Sequence, residues 1–437
     1  MSFQEENNAL VNAFLDRMFF AGWKNPKEEL YLNSNRVEFY LGVTCNLRCK
    51  YCYLARYGNE LYPPTGKKEV LNNLSMLLDW MVENGYHPSI ELFSGEPLVQ
   101  DVGLEALQMI LDKFSTTDKQ PERITVPTNF TFLLDDERTE RIEGLLKESR
   151  EKGMPILLSV SIDGKYCESN RPFRALTDDP RDDAYYDKVF AFAKKWGCGF
   201  HPMIYSDRIE YWKDNFLWFQ ENFKRFGIPF SNLYLLEVRN VEWTLKQIKT
   251  FGDFVEFLIE WTYNFLGGNP VRYIHFLFRG KGFNILASPF TSIGRGIGCS
   301  IQSNLTIRIG DLALVPCHRT SYAQNVLARF KVEKGKIVGL QSVNPELLVA
   351  IYTFSSDTFP YCEQCLLKDM CSKGCLGSQL EVTGDMFTPI PTVCLLEHEK
   401  VVRMIKTYER LGLLDTILSN IRDEKRQAIK RLQEVMK

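Results

Sequence analysis

Leu41–Gly58 reads LGVTCNLRCKYCYLARYG and sets Cys45, Cys49 and Cys52 in a CxxxCxxC spacing at the end of the apolar run Val37 to Val43. The run predicts a β-strand, so the cysteines fall on a loop at a strand's C-terminal edge. Active sites of barrel-like α/β folds gather at that edge, because loops converge there without disturbing the core. Three thiolates are one short of the complement of a four-iron cluster, which leaves one iron open to a ligand. Structural zinc would want a fourth Cys or His nearby, and the nearest histidine in sequence is His87.

Working outward, apolar strand-like runs alternate with amphipathic helical stretches from about Val37 to Leu266. That rhythm predicts an α/β fold with a helix-covered parallel sheet. The strand candidates are Val37 to Val43, Ser89 to Phe93, Ile124 to Pro127, Ile156 to Ile162, Gly199 to Ile204 and Leu233 to Val238. Six βα repeats suit a partial TIM-like barrel better than a closed one. The helices between them are expected at Lys68 to Asn84, Leu104 to Phe114, Asp135 to Lys152, Tyr185 to Trp196, Tyr211 to Phe226 and Leu245 to Leu266. Gly267, Gly268 and Pro270 punctuate the chain, and the expected domain boundary falls there. The resulting division is a helical extension over 1–35, the barrel over 36–267, a cysteine-rich domain over 268–396 and a helical tail over 397–437. Residues 299 to 394 are turn-rich with little periodicity, so metal rather than a broad apolar core is expected to hold them together.

With 437 residues, 45% of them hydrophobic, the chain can bury a large core. Lys plus Arg (53) and Asp plus Glu (55) nearly cancel, so no global field draws nucleic acid or an anionic membrane. The N-terminal stretch has no basic opening and no small-residue cleavage site, and no apolar run reaches the roughly 18 residues of a membrane span. The expectation is a cytoplasmic protein without membrane or nucleic-acid partners. In that setting tight cysteine spacings mean metal more often than disulfides. Ten of the twelve cysteines fall into two groups, and Cys167 and Cys198 stand alone as expected buried thiols.

The first group resembles the signature of radical S-adenosylmethionine (SAM) enzymes, CxxxCxΦC, with Tyr51 as the aromatic Φ. The resemblance implies a 4Fe-4S cluster on Cys45, Cys49 and Cys52, SAM on its open iron, and reductive cleavage of SAM to a 5'-deoxyadenosyl radical. FSGEP (Phe93 to Pro97) is similar to the family's GGEP motif with Ser94 for the first glycine, which implies SAM contacts from Ser94, Gly95 and Glu96. PTNFTFLL is similar to the stretch TNGTLL, with Phe130 in place of glycine and Asn129 lining the SAM pocket. VSIDG (Val160 to Gly164) is similar to the SIDG or SMDG of the same enzymes, which implies that Ser161 meets the SAM ribose or carboxylate and that one of Arg171, Arg174 and Arg181, with Arg171 taken first, forks onto the carboxylate. Glu237 and Arg239, in LLEVRN, fit equally an apolar-Glu run of related enzymes and a strand-end ion pair.

The second group, CxxC at Cys362 and Cys365 followed by Cys371, Cys375 and Cys394, with Cys299 and Cys317 upstream, resembles the SPASM domain of peptide- and protein-modifying radical enzymes. That likeness implies two auxiliary 4Fe-4S clusters and three in all. The outer one would take Cys362, Cys365, Cys371 and Cys394, and the inner one Cys299, Cys317 and Cys375. The inner set is one cysteine short, because Ile293 stands where sulfatase-maturing enzymes carry a further cysteine. An open site there would accept a thiolate or another ligand. The gap from Gly310 to Cys317 is six residues rather than the usual four, which implies a longer hairpin. His318 stands where sulfatase maturases have a basic aspartate, and fits both a catalytic base and a hydrogen bond beside the cluster.

The resemblance thus implies a radical SAM/SPASM maturase of a ribosomally made peptide, installing a thioether, carbon-carbon or related crosslink. The alternatives are a sulfatase-maturase-like or other protein-modifying enzyme, α-carbon epimerisation, and a non-catalytic iron-sulfur or zinc scaffold. Only 44 residues precede Cys45, fewer than the roughly 80 to 90 of a leader-binding domain, so leader recognition is expected from a separate protein, the helical tails or the SPASM face. A flavodoxin- or ferredoxin-like donor would supply the electron.

Overall fold

The computed structural model describes residues 20–23, 30–32, 36–279, 282–291, 301, 305–353, 360–371 and 374–436. Its strands are β1 (Phe20–Trp23), β2 (Leu30–Leu32), β3 (Arg36–Tyr40), β4 (Ser89–Phe93), β5 (Ile124–Thr128), β6 (Ile156–Val160), β7 (Gly199–Phe200), β8 (Met203–Ile204), β9 (Leu236–Glu237), β10 (Leu305–Arg308), β11 (Ala313–Val315), β12 (Ala328–Glu333) and β13 (Lys336–Ser342). By Cα packing the chain gathers into two compact units, one of residues 1–161, 172–198 and 300–353, the other of residues 162–171, 199–299 and 354–437.

In the first unit β3, β4, β5 and β6 are parallel neighbours, in register from Arg36↔Ser89 to Tyr40↔Phe93 and from Ile124↔Ile156 to Thr128↔Val160. Helices Lys67–Glu83, Asp101–Ser115 and Asp136–Glu151 connect them, as expected. Each lays an apolar stripe inward, such as Val70, Leu74, Leu77, Leu78 and Met81 on the first, which is the 3.6-residue period at work. Asp135 caps the third by accepting the Arg138 N–H, and Asp182 caps Asp183–Trp196 in the same way. The C-terminal ends of β3 to β6 carry the cysteine loop, FSGEP, PTNF and Ser161 in turn.

Five expectations are corrected. The described part of 1–35 is strand rather than helix: β1 pairs with β2, and β2 with β13. FAGW and LYL are aromatic-rich and too short for a helix, and the open edge of β13 offers them hydrogen bonds. The region from 299 to 394 is not held by metal alone. β10 lies parallel to β3, from Leu305↔Val37 to Arg308↔Tyr40, and returns through the antiparallel β11, β12 and β13. Every residue of β10 and β11 is buried, because LTIR and ALV sit inside a sheet covered on both faces, where period-2 alternation is lost.

The other three corrections concern the second unit. The expected strand Gly199 to Ile204 is split into β7 and β8 at His201 and Pro202, and Pro202 has no N–H to give a ladder. β8 pairs in parallel with β9, which is two residues rather than six. The helix expected from residue 397 begins at Pro391, in the N1 position where a missing N–H costs nothing, so Cys394 stands on its first turn. The second unit is otherwise helical, and its core includes the aromatic side chains Phe216, Phe254, Phe276 and Phe283.

Candidate cofactor and metal sites

The four strand-end loops of the first unit are tied to one another by hydrogen bonds that centre on two side chains. Glu96, almost fully buried, accepts from Leu98 N–H (3.1 Å) and Thr128 Oγ1 (2.7 Å) through Oε1, and from Asn129 N–H (2.6 Å) through Oε2. Asn129 donates from Nδ2 to Asn46 Oδ1 (2.9 Å) and towards Cys45 Sγ (3.9 Å), while its Oδ1 accepts from Thr131 N–H (3.0 Å) and Oγ1 (2.6 Å). Asn46 closes the ring by donating to Thr131 Oγ1 (2.8 Å). Gln100 donates to Thr44 O from below the same loop, and Ser161 N–H donates to Thr128 O (2.8 Å). Asn46, Gln100, Thr128 and Thr131 were not singled out from sequence, because nothing in their spacing distinguishes them from turn residues.

Backbone packing seats the cysteine loop. Gly95 N–H donates to Gly42 O (3.0 Å) and Glu96 N–H to Thr44 O (2.9 Å), and a Cβ on Gly95 would lie 2.4 Å from the carbonyl oxygens of Val43 and Thr44. Only glycine fits that approach. Phe130, in the place of the family glycine, takes the left-handed conformation at φ 62° with its ring fully buried against Phe132 and Phe192.

Cys45, Cys49 and Cys52 are half-buried and in no disulfide, and Tyr51 is half-buried beside them. Cys45 Sγ accepts from Leu47 N–H (3.4 Å), a donor that favours thiolate. Ser94 Oγ is buried with no hydrogen-bond partner among the described residues, one loop away. Three cysteines on one loop, donors aimed at Cys45 Sγ and a spare buried hydroxyl fit a cluster and a polar ligand. Among the described residues no three His, Cys, Asp or Glu side chains gather as a single metal ion requires. A four-iron cube takes one thiolate per iron and so holds its ligands farther apart than one ion does.

The arginines separate. Arg171 is buried in ion pairs with Asp163 (3.5 Å) and Glu168 (3.7 Å) of its own unit, and Arg181 pairs with Asp179 (2.6 Å). Arg174 instead donates to Leu47 O from Nε (3.0 Å) and to Asn46 O from its backbone (2.9 Å), on the cysteine loop itself.

His318, 266 residues after Cys52 in the sequence, also comes to this loop. Its ring stacks on Phe93 (4.1 Å between centroids) and on Tyr53 (5.7 Å), the residues that open FSGEP and follow Cys52. Burial opposes its charge, but Glu38 hydrogen-bonded to it prevails, and the imidazole is raised above its ordinary value. Burial and the neighbouring Glu38 together raise the Glu91 carboxyl, against its ion pair with Arg36. Cys317, just before His318, is half-buried with Sγ 3.4 Å from Thr320 Oγ1. A Cβ on Gly310 would meet Thr65 Oγ1 and Tyr62 Oη at 2.6 and 2.8 Å, so the turn between β10 and β11 packs closely on that segment. Cys299 and Ile293 lie outside the described residues.

In the second unit Cys362, Cys365, Cys371 and Cys394 line one cavity, and Cys375 lines it too. Burial, with Cys362 and Cys365 close by, pushes the Cys394 thiol up to about 11. Thiols that suppress one another's ionisation in this way suit a metal centre, whose positive charge removes the repulsion. Beside them Arg239 bridges Glu237 and Glu397 (3.1 Å), and Lys400 pairs with Glu397 (2.7 Å). Burial opposes ionisation of Glu237, but Arg239 and Lys400 overcome it and hold the carboxyl down at about 2. Of the two readings of Glu237 and Arg239, the ion pair is the one present. Cys167 and Cys198 are buried thiols, as expected.

A parallel-sheet α/β fold with a cysteine-rich C-terminal region is the fold class of radical SAM/SPASM enzymes. The solved structures that share it include hexahistidine-tagged anSMEcpe with bound AdoMet, at TM-score 0.56 and 16% identity over 90% of this chain and 98% of that one. Native anSMEcpe with bound AdoMet and Cp18Cys peptide matches at TM-score 0.55 and 18% identity, over 88% and 99%. SuiB of Streptococcus suis bound to precursor peptide SuiA matches at TM-score 0.47 and 14% identity, over 83% and 76%. At these identities the likeness is one of fold. No family model and no curated protein matches the chain.

Proposed function

We propose that this chain is a radical SAM/SPASM maturase that takes a hydrogen atom from a ribosomally made peptide and installs a thioether, carbon-carbon or related crosslink. The observation that carries the reading is the hydrogen-bonded ring of Asn46, Glu96, Asn129 and Thr131 around the loop of Cys45, Cys49 and Cys52. Those three thiolates would hold one 4Fe-4S cluster, which supplies the electron for reductive cleavage of SAM. Ser94 and Asn129 would line the SAM pocket, with Ser161 nearby, and Arg174 is the arginine that the geometry favours for the SAM carboxylate. Glu96 acts mainly by holding the loops together. His318 would face the reacting peptide as an acid or base. The outer auxiliary cluster would sit among Cys362, Cys365, Cys371 and Cys394, and the inner one on Cys299, Cys317 and Cys375. A flavodoxin- or ferredoxin-like donor would supply the electron, and a leader would be bound by a separate protein, the helical tails or the SPASM face, in a system we read as cytoplasmic; no helix among the described residues is long and apolar enough to cross a membrane.

The anSMEcpe fold, solved with AdoMet and a peptide, favours one second reading, the oxidation of a single residue in a protein substrate. Anaerobic reconstitution should yield about twelve iron atoms per chain, four per cluster, and zinc with little iron would end both readings. Reduced enzyme with SAM should release 5'-deoxyadenosine, and Cys49→Ala should abolish that release. Mass spectrometry of a cysteine-rich peptide encoded beside this chain, co-expressed with and without it, then separates the two. A crosslink removes two hydrogens and joins two residues in the fragment spectrum, whereas single-residue oxidation leaves the peptide open.

A further inference from the structure

His398 lies on the helix Pro391–Arg410 four residues after Cys394, so the two side chains share a helix face. Both line the cavity that holds Cys362, Cys365, Cys371 and Cys375, and His398 Nε2 stands 3.9 Å from Cys365 Sγ. The same ring borders the surface groove between this helix and Leu245–Phe265, beside Lys249 and Arg403, which gives it a route to solvent. Its neighbours are otherwise committed. Glu397 pairs with Arg239 and Lys400, and the guanidinium of Arg239 is shared between Glu237 and Glu397. A sulfur ligated to iron accepts hydrogen bonds and gives none, so the nitrogen facing Cys365 must carry the proton.

We infer that His398 donates an N–H···S hydrogen bond to the Cys365 thiolate and thereby raises the reduction potential of the cluster in this cavity. The inference rests on the reading of Cys362, Cys365, Cys371 and Cys394 as the ligands of an outer 4Fe-4S cluster. A hydrogen bond withdraws charge from the sulfur and stabilises the reduced, more negative cluster, and hydrogen bonds to the sulfurs are among the levers that set such potentials. The side chain is therefore a positioning and tuning group, neither an iron ligand nor a catalytic residue.

The test is a dithionite redox titration followed by EPR on the full-length reconstituted protein, with Cys45, Cys49 and Cys52 all changed to alanine so that only auxiliary clusters remain. His398→Phe removes the donor at similar bulk, and His398→Gln puts an amide N–H near the same point. The expected result is one auxiliary signal moved to more negative potential in His398→Phe and restored towards the parent in His398→Gln, with equal iron in all three. An unchanged potential in His398→Phe overturns the inference. Loss of about four iron atoms in both variants also overturns it, because the side chain would then be a ligand or a scaffold. A parent protein that takes up no iron in this cavity defeats the underlying cluster reading instead.

Discussion

His318 Nδ1 lies 2.9 and 2.8 Å from the two carboxylate oxygens of Glu38, a buried residue whose Oε1 also accepts from Thr306 Oγ1 (3.2 Å). The contact joins β3, β10 and the turn after Cys317, and fixes which imidazole nitrogen faces the carboxylate. Phe93 and Tyr53 on the two sides leave the ring little freedom. Losing such an orienting partner ordinarily costs about 10- to 100-fold in activity. Glu38→Gln, which can still accept a hydrogen bond, should slow peptide modification less than Glu38→Leu, while 5'-deoxyadenosine release persists in both. Equal product yields from the parent and Glu38→Leu would remove His318 from the chemistry.

The three donors on Glu96 make a separate prediction. Glu96→Gln keeps the shape but turns an NH2 group towards a donor, Asn129 N–H or Thr128 Oγ1. Hydrogen bonds to a buried charge are worth about 1.5–3 kcal/mol, so stability in urea should fall by about 2 kcal/mol without any cofactor present. A variant as stable as the parent would mean that the carboxylate is held for its ligand alone.

Phe130 should invert a usual order. Both Phe130→Ala and Phe130→Gly empty the ring's pocket, at about 3–5 kcal/mol. Glycine accepts φ 62° without the Cβ penalty that alanine keeps, so Phe130→Gly should be the more stable by about 1 kcal/mol in thermal or urea unfolding. Alanine as the better replacement would show that the left-handed turn is not held in solution.

Acid should weaken the second unit through His201. Burial, and then the charge of Arg171, pushes this imidazole down to about 4. Above the unfolded value of about 6.5 the group is neutral in both states and its contribution is fully present. As pH falls below that, the unfolded chain binds the proton first, so stability declines until about pH 4 and is level beyond it, a loss of up to about 3 kcal/mol. Urea unfolding of His201→Asn at pH 7, 5.5 and 4.5 should lack this decline, and a slope parallel to that of the parent would refute the assignment.

Much of this fold was legible because the information is local. The bounds of β4 and of the helix Leu245–Phe265 follow from apolar period and capping, including the Thr244–Gln247 capping box. β10 was not legible, since LTIR is short, buried throughout and paired with a strand 268 positions earlier at Glu38↔Thr306. Pro202 cut a strand that apolar content alone made continuous. Among the arginines, the sequence offered three candidates with Arg171 first, and only folding buried Arg171 between Asp163 and Glu168 while seating Arg174 on Leu47.

The CxxxCxxC of Cys45, Cys49 and Cys52 determined by itself that all three cysteines sit on one strand-end loop, because only seven positions separate the first from the last. The order of the motifs after successive strands likewise determined the parallel sheet. Only the tertiary structure decided what surrounds that loop. Glu38, Asn129 and His318 are scattered along the chain, and their meeting depends on β10 lying against β3 and on the register of β3 to β6, pairings that burial and long-range hydrogen bonds select and no local spacing encodes.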